Sequence, residues 1–347
     1  APVPEKVGLD GDLCIQIGYT REVGDPVDFH AAALRNDGNT CYLNALLHVL
    51  ARLPSIRHWT MQHQMLCPLA NGNAGDCTLC DLAYDLNTIT VCLENEALTP
   101  RIVNHRGLWG GQAFDNADQQ CASEAFKILC IACDNIDLQS ARALERSDLW
   151  PADDFRSKSY STPYYKIFGG LTTSTITCNC CPYSSRRTDM FTCLSLAVPF
   201  KETEIEEVLK NHWDIENLVE EGDYCRACDA KKSQILDVRL ERWPRVLVIH
   251  LKRKIFVRAT QEFDKNHTPV GFETCMLVPG KSRPYHLRAV IVHHGEAEGG
   301  HYTAFVKSVD NCWYDCDDWV SPRRVLTDEV LAAEAYMLFY DECLAWI

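Results

Sequence analysis

Two widely separated cysteine pairs constrain the fold of this chain more than any other feature. Cys178 and Cys181 form one Cys-x-x-Cys pair, and Cys225 and Cys228 form the other, with Cys180 as an extra thiol. Each pair can bind one edge of a tetrahedral zinc ion, so the two pairs together supply a complete four-sulfur site. The flanking segments have the composition of strands. We therefore expect a zinc-linked β region here; the alternative is a set of reduced thiols that binds no metal.

A second group of metal-ligand residues lies earlier in the chain. His63, Cys67, Cys77 and Cys80 follow the pattern H-x3-C-x9-C-x2-C. His63 and Cys67 share one face if that stretch is helical, and Cys77 and Cys80 form a further knuckle. The group predicts another zinc site, with a surface loop carrying unrelated cysteines as the alternative. The chain has 19 cysteines, and their pairing fits metal ligation in a reducing compartment better than a disulfide framework.

Cys41 stands at the start of a predicted helix. Apolar side chains recur behind it at helical spacing, at Leu43, Leu46, Leu47 and Leu50. Pro54 marks the expected end of this helix, near Leu53. Gly38 permits a tight turn before the helix, and Asn36 offers an amide that can curl back toward the thiol. The free N–H groups and the positive dipole end of a first helical turn favour a thiolate, the nucleophilic form of cysteine.

A distant segment offers partners for this thiol. His301 precedes an apolar strand, and the strand around Trp313 leads to Asp317 and Asp318. A hairpin of these two strands would put an imidazole beside a carboxylate. Thiol, imidazole and carboxylate form the relay of a cysteine hydrolase. The alternative for an isolated cysteine in a helix is a small buried apolar side chain.

Composition excludes several classes of function. The 347 residues carry a formal net charge of -14, which argues against binding to a phosphate backbone. No apolar run is long enough for a transmembrane helix, and we expect neither a membrane partner nor a signal peptide. The absence of an initial Met suggests an excised fragment.

The order of the predicted elements indicates an α+β fold, with helices first and a sheet later. Two helices are predicted, at 43–53 and 122–133, and a third in a charged insert at 203–221. The predicted strands lie at 171–177, 191–198, 246–251, 287–292, 302–306 and 336–340. Residues 1–33 form an N-terminal extension with one possible strand at 13–17.

The chain resembles the ubiquitin-specific proteases, a family of deubiquitinating cysteine peptidases. Several segments carry the resemblance, in family order, across residues 34–341. They are LRNDGNTCYLN at 34–44, WPRVLVIHLKR at 243–253, YHLRAV at 285–290, GGHYTA at 299–304 and AYMLFY at 335–340.

The resemblance implies a papain-like cysteine peptidase core within one catalytic domain, residues 34–344. That domain would consist of a helical thumb (about 34–160), zinc-binding β fingers (about 165–235) and a β-sheet palm (about 236–344). In the family, fingers and palm cradle ubiquitin, and its tail threads a cleft that admits only Gly-Gly. Residues 294–300 would form a mobile loop that gates this cleft.

The resemblance also implies roles for individual residues. Cys41 would be the nucleophile and His301 the general base and later acid. Asp317 would orient the imidazole, while Asp318 matches a second acidic position that supports the site. Asn36 would hold the oxyanion together with a backbone N–H near Cys41. The Asp-Asp-Trp-Val run at 317–320 is one residue shorter than the usual spacing, so both aspartates stay candidates for the orienting role.

Substrate contacts are implied at Gly299, Gly300 and Tyr302. The family has an aspartate after its Gln-Gln pair that binds the arginine-containing tail of ubiquitin, but this chain has Cys121 there. Glu124 is a candidate to replace that carboxylate. The departure leaves open a protease of another ubiquitin-like modifier as an alternative to a deubiquitinase. A second alternative is a catalytically weak ubiquitin-binding scaffold, since some members of the family lose a residue of the triad.

The implied cofactor is structural zinc, one or two ions, with no chemical role. The fingers site matches the family's usual ligands, and the His63 group resembles the additional zinc site of the deubiquitinase in the SAGA co-activator complex. Expected partners are ubiquitin or polyubiquitin-modified proteins and possible activating protein subunits, but no nucleic acid. The expected location is intracellular, cytoplasmic or nuclear.

Overall fold

The computed structural model describes residues 32–70, 72–91, 97–116, 118–143, 162–213, 217–219, 224–232 and 234–342. The predicted extension, including its possible strand at 13–17, lies outside these ranges except for residues 32 and 33. In the described chain, no helix is long and apolar enough to cross a membrane.

Helices form most of the first half of the described chain. The first six are α1 (Cys41–Leu50), α2 (Pro54–Leu66), α3 (Thr78–Val91), α4 (Arg101–Asn104), α5 (Arg106–Gly110) and α6 (Ala122–Ala143). The later ones are α7 (Pro163–Phe168), α8 (Ile205–Trp213) and α9 (Thr327–Leu331), and a short 3-10 helix spans Gly111–Ala113.

Helix α1 is the centre of the molecule, because all ten of its residues are buried. A helix that is buried on every side must be enclosed by other elements. Helices α3 and α6 pack on it from one side, and a β-sheet packs on it from the other. The helix is shorter than predicted: it ends at Leu50, and Pro54 opens α2, where its missing N–H costs nothing.

Strands form most of the second half. The first nine are β1 (Gly170–Cys178), β2 (Ser184–Phe191), β3 (Leu194–Ala197), β4 (Thr203–Glu204), β5 (Asn217–Val219), β6 (Tyr224–Cys225), β7 (Ala230–Lys231), β8 (Gln234–Arg242) and β9 (Val246–Lys252). The second nine are β10 (Lys254–Val257), β11 (Glu262–Lys265), β12 (Val270–Gly271), β13 (Cys275–Met276), β14 (Tyr285–Glu296), β15 (Gly299–Lys307), β16 (Trp313–Asp317), β17 (Val320–Val325) and β18 (Ala335–Asp341).

The main sheet has its strands in the order β17-β16-β15-β14-β18-β9-β3, and β13 adds to β14. Its pairs are antiparallel except β3 with β9. Val246 and Val248 of β9 join the core on the α1 side, whereas Leu247 and Ile249 join the core on the opposite side. Both faces of the sheet are therefore covered, which explains the nearly continuous apolar run in β9.

A separate four-stranded sheet, in the order β2-β1-β8-β5, projects from the main sheet. Its strand β2 is exposed over residues 184–188. In the described chain, neither core cluster contains a side chain of β1 or β8. This sheet therefore has little apolar burial to hold it together, and the cysteine pairs at its end acquire structural importance.

Several predicted elements differ in extent. Helix α6 continues to Ala143, ten residues beyond the predicted end, and the segment at 191–198 splits into β2 and β3. The charged insert at 203–221, predicted to be helical, contains helix α8 and, after it, strand β5. Residues 294–300, predicted to be a mobile loop, form the tip of a tight hairpin in which Glu296 pairs with Gly299. Gly295 makes this tip possible with a φ of 101°.

The enclosure of α1 predicts a large penalty for shortening one of its core side chains. Leu46 is 0% exposed, so Leu46→Ala should lower the free energy of unfolding by about 3 kcal/mol. Met65→Ala on α2 is the control, because Met65 is 80% exposed and its loss should change stability by less than about 0.5 kcal/mol. Urea unfolding checks both; equal midpoints for the two variants would contradict the central position of α1.

Candidate active site and metal centres

Cys41 is the first residue of α1, as predicted, and it is 2% exposed. The turn before it uses left-handed backbone at Gly38 (φ 84°) and Asn39 (φ 58°). Burial raises the pKa of the Cys41 thiol above its ordinary value, although the backbone N–H of Tyr302 acts against this by hydrogen bonding to the sulfur. The expected thiolate is therefore disfavoured in this state of the protein, since desolvation outweighs the help of nearby N–H groups.

His301 lies on β15, directly before Tyr302, and contacts both candidate aspartates. Its Nε2 is 2.6 Å from Asp317 Oδ1, and its Nδ1 is 3.8 Å from Asp318 Oδ2. Strand β15 pairs with β16 as predicted, with Ala304 opposite Cys316, and this register brings the imidazole to the carboxylates. Only the contact at Nε2 is short enough for a hydrogen bond, whereas the contact of Nδ1 with Asp318 is longer than one.

Asp318 connects the segment before α1 to the sheet. Its carboxylate accepts hydrogen bonds from the side-chain amides of Asn36 at 2.8 Å and Asn44 at 2.9 Å. Its backbone oxygen accepts from the N–H of Leu34 at 2.8 Å. Burial raises the pKa of the Asp318 carboxyl, and the two amides oppose that shift.

Both the nitrogen and the oxygen of the Asn36 side-chain amide have hydrogen-bond partners. Its nitrogen donates to Asp318, and its oxygen accepts from the backbone N–H of Thr40 at 2.8 Å. The second contact fixes the turn that precedes Cys41. An amide nitrogen carries two N–H groups, so the bond to Asp318 leaves the other one for an oxyanion.

Gln119 bridges the helical region and the hairpin beside the thiol. Its side-chain nitrogen donates to the carbonyl oxygen of Gly300, and its oxygen accepts from the Gly300 N–H at 2.9 Å. The same side chain hydrogen-bonds to Cys41 and acts to lower the pKa of that thiol. Any group that reaches the sulfur from this side must therefore meet Gln119.

The residues predicted to contact substrate lie around this bridge, with different exposure. A Cβ on Gly300 would collide with the backbone oxygen of His294, whereas a Cβ on Gly299 would meet Gln119 Oε1 at 4.0 Å, an ordinary contact distance. Tyr302 is 6% exposed and packs edge-on against Tyr336, with ring centroids 5.4 Å apart. Its ring is therefore part of the core, and its backbone is the part that reaches the site.

Cys121 and Glu124 occupy the start of α6. The Cys121 sulfur is 2.9 Å from the Tyr336 hydroxyl and 3.0 Å from the Ser123 hydroxyl. Glu124 is exposed in the first helical turn. The position at which relatives carry an aspartate thus holds a thiol that contacts the Tyr336 hydroxyl of β18, and the candidate replacement, Glu124, is exposed.

The two Cys-x-x-Cys pairs converge at the end of the projecting sheet. The Sγ atoms of Cys178, Cys181, Cys225 and Cys228 lie within 4.8 Å of one another. Cys178 is 4.0 Å from Cys228, and Cys181 is 3.6 Å from Cys225. Sulfurs around a tetrahedral zinc with bonds of about 2.3 Å stand about 3.8 Å apart, so this donor set fits zinc.

The second predicted group also converges, between α2 and α3. The ligand atoms of His63, Cys67, Cys77 and Cys80 lie within 4.8 Å of one another, and His63 Nε2 is 3.4 Å from the Cys77 sulfur. On the far side of the ring, His63 Nδ1 is 3.0 Å from Asp137 of α6. A carboxylate in that place fixes the tautomer that leaves Nε2 free for a metal. Four protein ligands at each centre leave no open position, so both ions would be structural.

Two residues of these sites were missed by sequence reasoning. Asp137 lies far from His63 in the chain, and only the folded structure brings the two side chains together. Gln119 belongs to the Gln-Gln pair at the start of α6, so its position gave a signal, but its contact with Gly300 depends on the hairpin.

The fold and site together define the class of this protein. A buried helix that begins with a cysteine, packed on a sheet that carries a histidine–aspartate pair, is the arrangement of a cysteine peptidase. The sequence model described as "Ubiquitin carboxyl-terminal hydrolase" matches residues 32–340. The chain belongs to this family, which confirms the resemblance found in the sequence.

Individual relatives agree with this assignment. The chain is 29% identical over 350 residues to ubiquitin carboxyl-terminal hydrolase 23 of Arabidopsis thaliana, covering 96% of this chain and 37% of the relative. It is 28% identical over 336 residues to ubiquitin carboxyl-terminal hydrolase 2 of Homo sapiens, covering 89% and 55%. The chain thus spans about half the length, or less, of these curated relatives.

Solved structures confirm the α+β fold. The structure of the SAGA Ubp8/Sgf11/Sus1/Sgf73 DUB module bound to ubiquitin aldehyde matches with a TM-score of 0.74 at 22% identity, covering 89% of this chain and 69% of that one. A yeast SAGA DUB module with a mutant form of Sgf73 matches with a TM-score of 0.73, also at 22% identity, covering 89% and 68%.

The two clusters predict about two zinc ions per chain in protein purified without added metal, because each offers four ligands. Cys225→Ser and Cys77→Ser should each remove one ion. Cys180→Ser should remove none, because Cys180 is an exposed thiol outside the four-cysteine cluster. Metal analysis by mass spectrometry checks the three variants. Less than about one zinc per unmutated chain would contradict both centres.

Proposed function

We propose that this chain is a cysteine-type deubiquitinase that hydrolyses the isopeptide bond between the C-terminal glycine of ubiquitin and a substrate lysine. The observation that carries the proposal is the hydrogen bond from the backbone N–H of Tyr302, the residue after His301, to the Cys41 sulfur, beside the 2.6 Å contact of His301 with Asp317. Membership of the ubiquitin carboxyl-terminal hydrolase family supports it.

In the proposed mechanism the thiol is protonated before substrate arrives, because burial raises the pKa of Cys41. His301 takes the thiol proton as the sulfur attacks the glycine carbonyl, and the C–N bond then breaks as the imidazole gives that proton to the lysine amine. Water, deprotonated by His301, attacks the thioester and frees both the ubiquitin carboxylate and the thiol. Asn36 and the backbone N–H near Cys41 would hold the oxyanion. Zinc would only fix the structure.

For the orienting carboxylate, the contacts favour Asp317. Its oxygen is 2.6 Å from His301 Nε2, so it can hold the ring with Nδ1 toward the sulfur. Asp318 is already occupied by Asn36 and Asn44, and its role in the proposal is to fix the turn before Cys41.

Protein subunits that activate the chain are a further part of the proposal. The similar solved structures contain Ubp8 together with Sgf11, Sus1 and Sgf73. In this chain Gln119 spans the approach to the thiol, so a partner or the substrate itself would have to displace it. Fast turnover of a fluorogenic ubiquitin substrate by the isolated chain would exclude a need for partners.

A protease of another ubiquitin-like modifier is the second candidate function. Cys121 stands where relatives carry the aspartate, and its sulfur is held by the Tyr336 hydroxyl, so no carboxylate at that position can bind an arginine. Competition between ubiquitin and other modifiers for the same enzyme separates the candidates. Equal inhibition of turnover by another modifier would support the second one.

Removal of the proposed nucleophile should abolish the activity. Cys41→Ala should reduce hydrolysis of a fluorogenic ubiquitin conjugate to background, with the fold retained, because no other group supplies the sulfur. Cys275→Ala is the control and should keep full turnover, because Cys275 is an exposed cysteine outside the proposed site. Retained turnover in a pure, folded Cys41→Ala sample would contradict the assignment. An unmutated chain that is inactive and is not trapped by ubiquitin with a C-terminal electrophile would favour the scaffold alternative.

Replacement of Asp317 and of Asp318 by asparagine should affect catalysis and stability differently. Asp317→Asn should lower kcat by at least about 100-fold, because the imidazole loses the carboxylate that orients it. Asp318→Asn should lower stability by about 1–3 kcal/mol, because two amide donors lose a charged acceptor, and should reduce kcat less. Steady-state kinetics and urea unfolding measure both effects; a larger kcat loss in Asp318→Asn would reverse the assignment.

A further inference from the structure

The strand that leads to the His301 hairpin loses one neighbour before it reaches the site. Strand β14 pairs with β18 only as far as Val292, which lies opposite Ala335, the first residue of β18. Beyond this point β14 continues to Glu296, paired with β15 on its other edge. The backbone carbonyls of His293 and Gly295 on the open edge therefore need another hydrogen-bond donor.

Lys265 supplies that donor. Its ammonium donates to the carbonyl oxygen of His293 at 2.6 Å and to that of Gly295 at 2.9 Å. Carbonyls two residues apart point to the same edge of a strand, so one ammonium can bind both. The side chain is only 5% exposed, although it comes from the end of β11, outside the main sheet.

The charge of this ammonium is balanced by Glu334, the residue directly before β18. Glu334 Oε1 is 3.0 Å from Lys265 Nζ. The other oxygen of the same carboxylate is 2.8 Å from His267 Nδ1, and His267 Nε2 is 3.7 Å from Glu296 at the hairpin tip. A buried ammonium without such a partner would be strongly unfavourable. The ion pair thus replaces the missing continuation of β18 along the edge of β14.

The residues held by Lys265 are opposite those that form the proposed active site. His293 pairs with Tyr302, and Gly295 pairs with Gly300. Between them His294 pairs with His301, and the backbone N–H of Tyr302 hydrogen-bonds to the Cys41 sulfur. Movement of this edge of β14 would therefore move the imidazole relative to the thiol.

We propose that Lys265 is a positioning residue for the hydrolysis: its ammonium, bound to the His293 and Gly295 carbonyls, sets the place of His301 relative to Cys41. The kinetic part of this inference, a change in the rate of hydrolysis, rests on the proposed function. The contact itself does not depend on that function, so it can be tested separately.

The test compares Lys265→Met with Lys254→Met in the full chain. Lys254 lies opposite Lys265 in the β10–β11 pair, but it is exposed and its ammonium stands over the Phe263 ring, 4.5 Å from the centroid. Hydrogen exchange by mass spectrometry reports on peptides from 293–302, with peptides from α6 as the internal reference. Steady-state hydrolysis of a fluorogenic ubiquitin conjugate gives kcat and KM.

In Lys265→Met we expect exchange in 293–302 to be about 10-fold faster, with α6 unchanged. Its kcat should fall by about 10- to 100-fold and its KM should change by less than about twofold, because a misplaced imidazole slows chemistry rather than binding. Lys265→Arg, which keeps the charge and can donate to both carbonyls, should recover most of the kcat. Lys254→Met should match the unmutated chain in every measurement.

Unchanged exchange in 293–302 would overturn the inference, as would a rise in KM at constant kcat or faster exchange throughout the chain. If Lys265→Met does not fold, Glu334→Gln replaces it in the exchange measurement, where faster exchange in 293–302 supports the inference and unchanged exchange overturns it. An unmutated chain that shows no turnover and is not trapped by ubiquitin with a C-terminal electrophile would contradict the proposed function instead, and the exchange result would still decide whether Lys265 holds the hairpin.

Discussion

One buried carboxylate holds together the two halves of the candidate active site. Asp318 accepts hydrogen bonds from Asn36 and Asn44, which flank the cysteine at the start of α1, while its backbone binds Leu34. It lies 3.8 Å from the imidazole of His301. A carboxylate that is 7% exposed must have such partners to be tolerated. The need to satisfy this group therefore brings segments from opposite ends of the chain to one place.

Different parts of the molecule are stabilised by different means. Around α1, apolar side chains from helices and sheet make a continuous core, and the geometry of the thiol depends on that core. The projecting sheet has mostly polar strands, and the four cysteines at its end would supply through zinc what apolar burial does not. The His63 cluster has a similar position in the helical region, where the segment between α2 and α3 is held at both ends.

The sequence allowed the backbone of the site to be predicted, since Cys41 opens a helix and β15 pairs with β16 as periodicity and motifs indicated. It did not allow the side-chain environment to be predicted. The raised pKa of Cys41, the bridge through Gln119 and the ammonium of Lys265 depend on burial and on contacts between residues far apart in the chain. The pairing of strands through residues 294–300, which the resemblance implied to be a loop, also depends on contacts that the sequence does not show.

The most direct test of this account is covalent trapping by ubiquitin that carries a C-terminal electrophile, followed by peptide mapping of the adduct. The account predicts one ubiquitin per chain, attached to Cys41, and much slower trapping in His301→Ala because the thiol then lacks its base. An adduct on a different cysteine, or no adduct on a folded chain supplied with the ubiquitin probe, would contradict the claim that Cys41 and His301 act together.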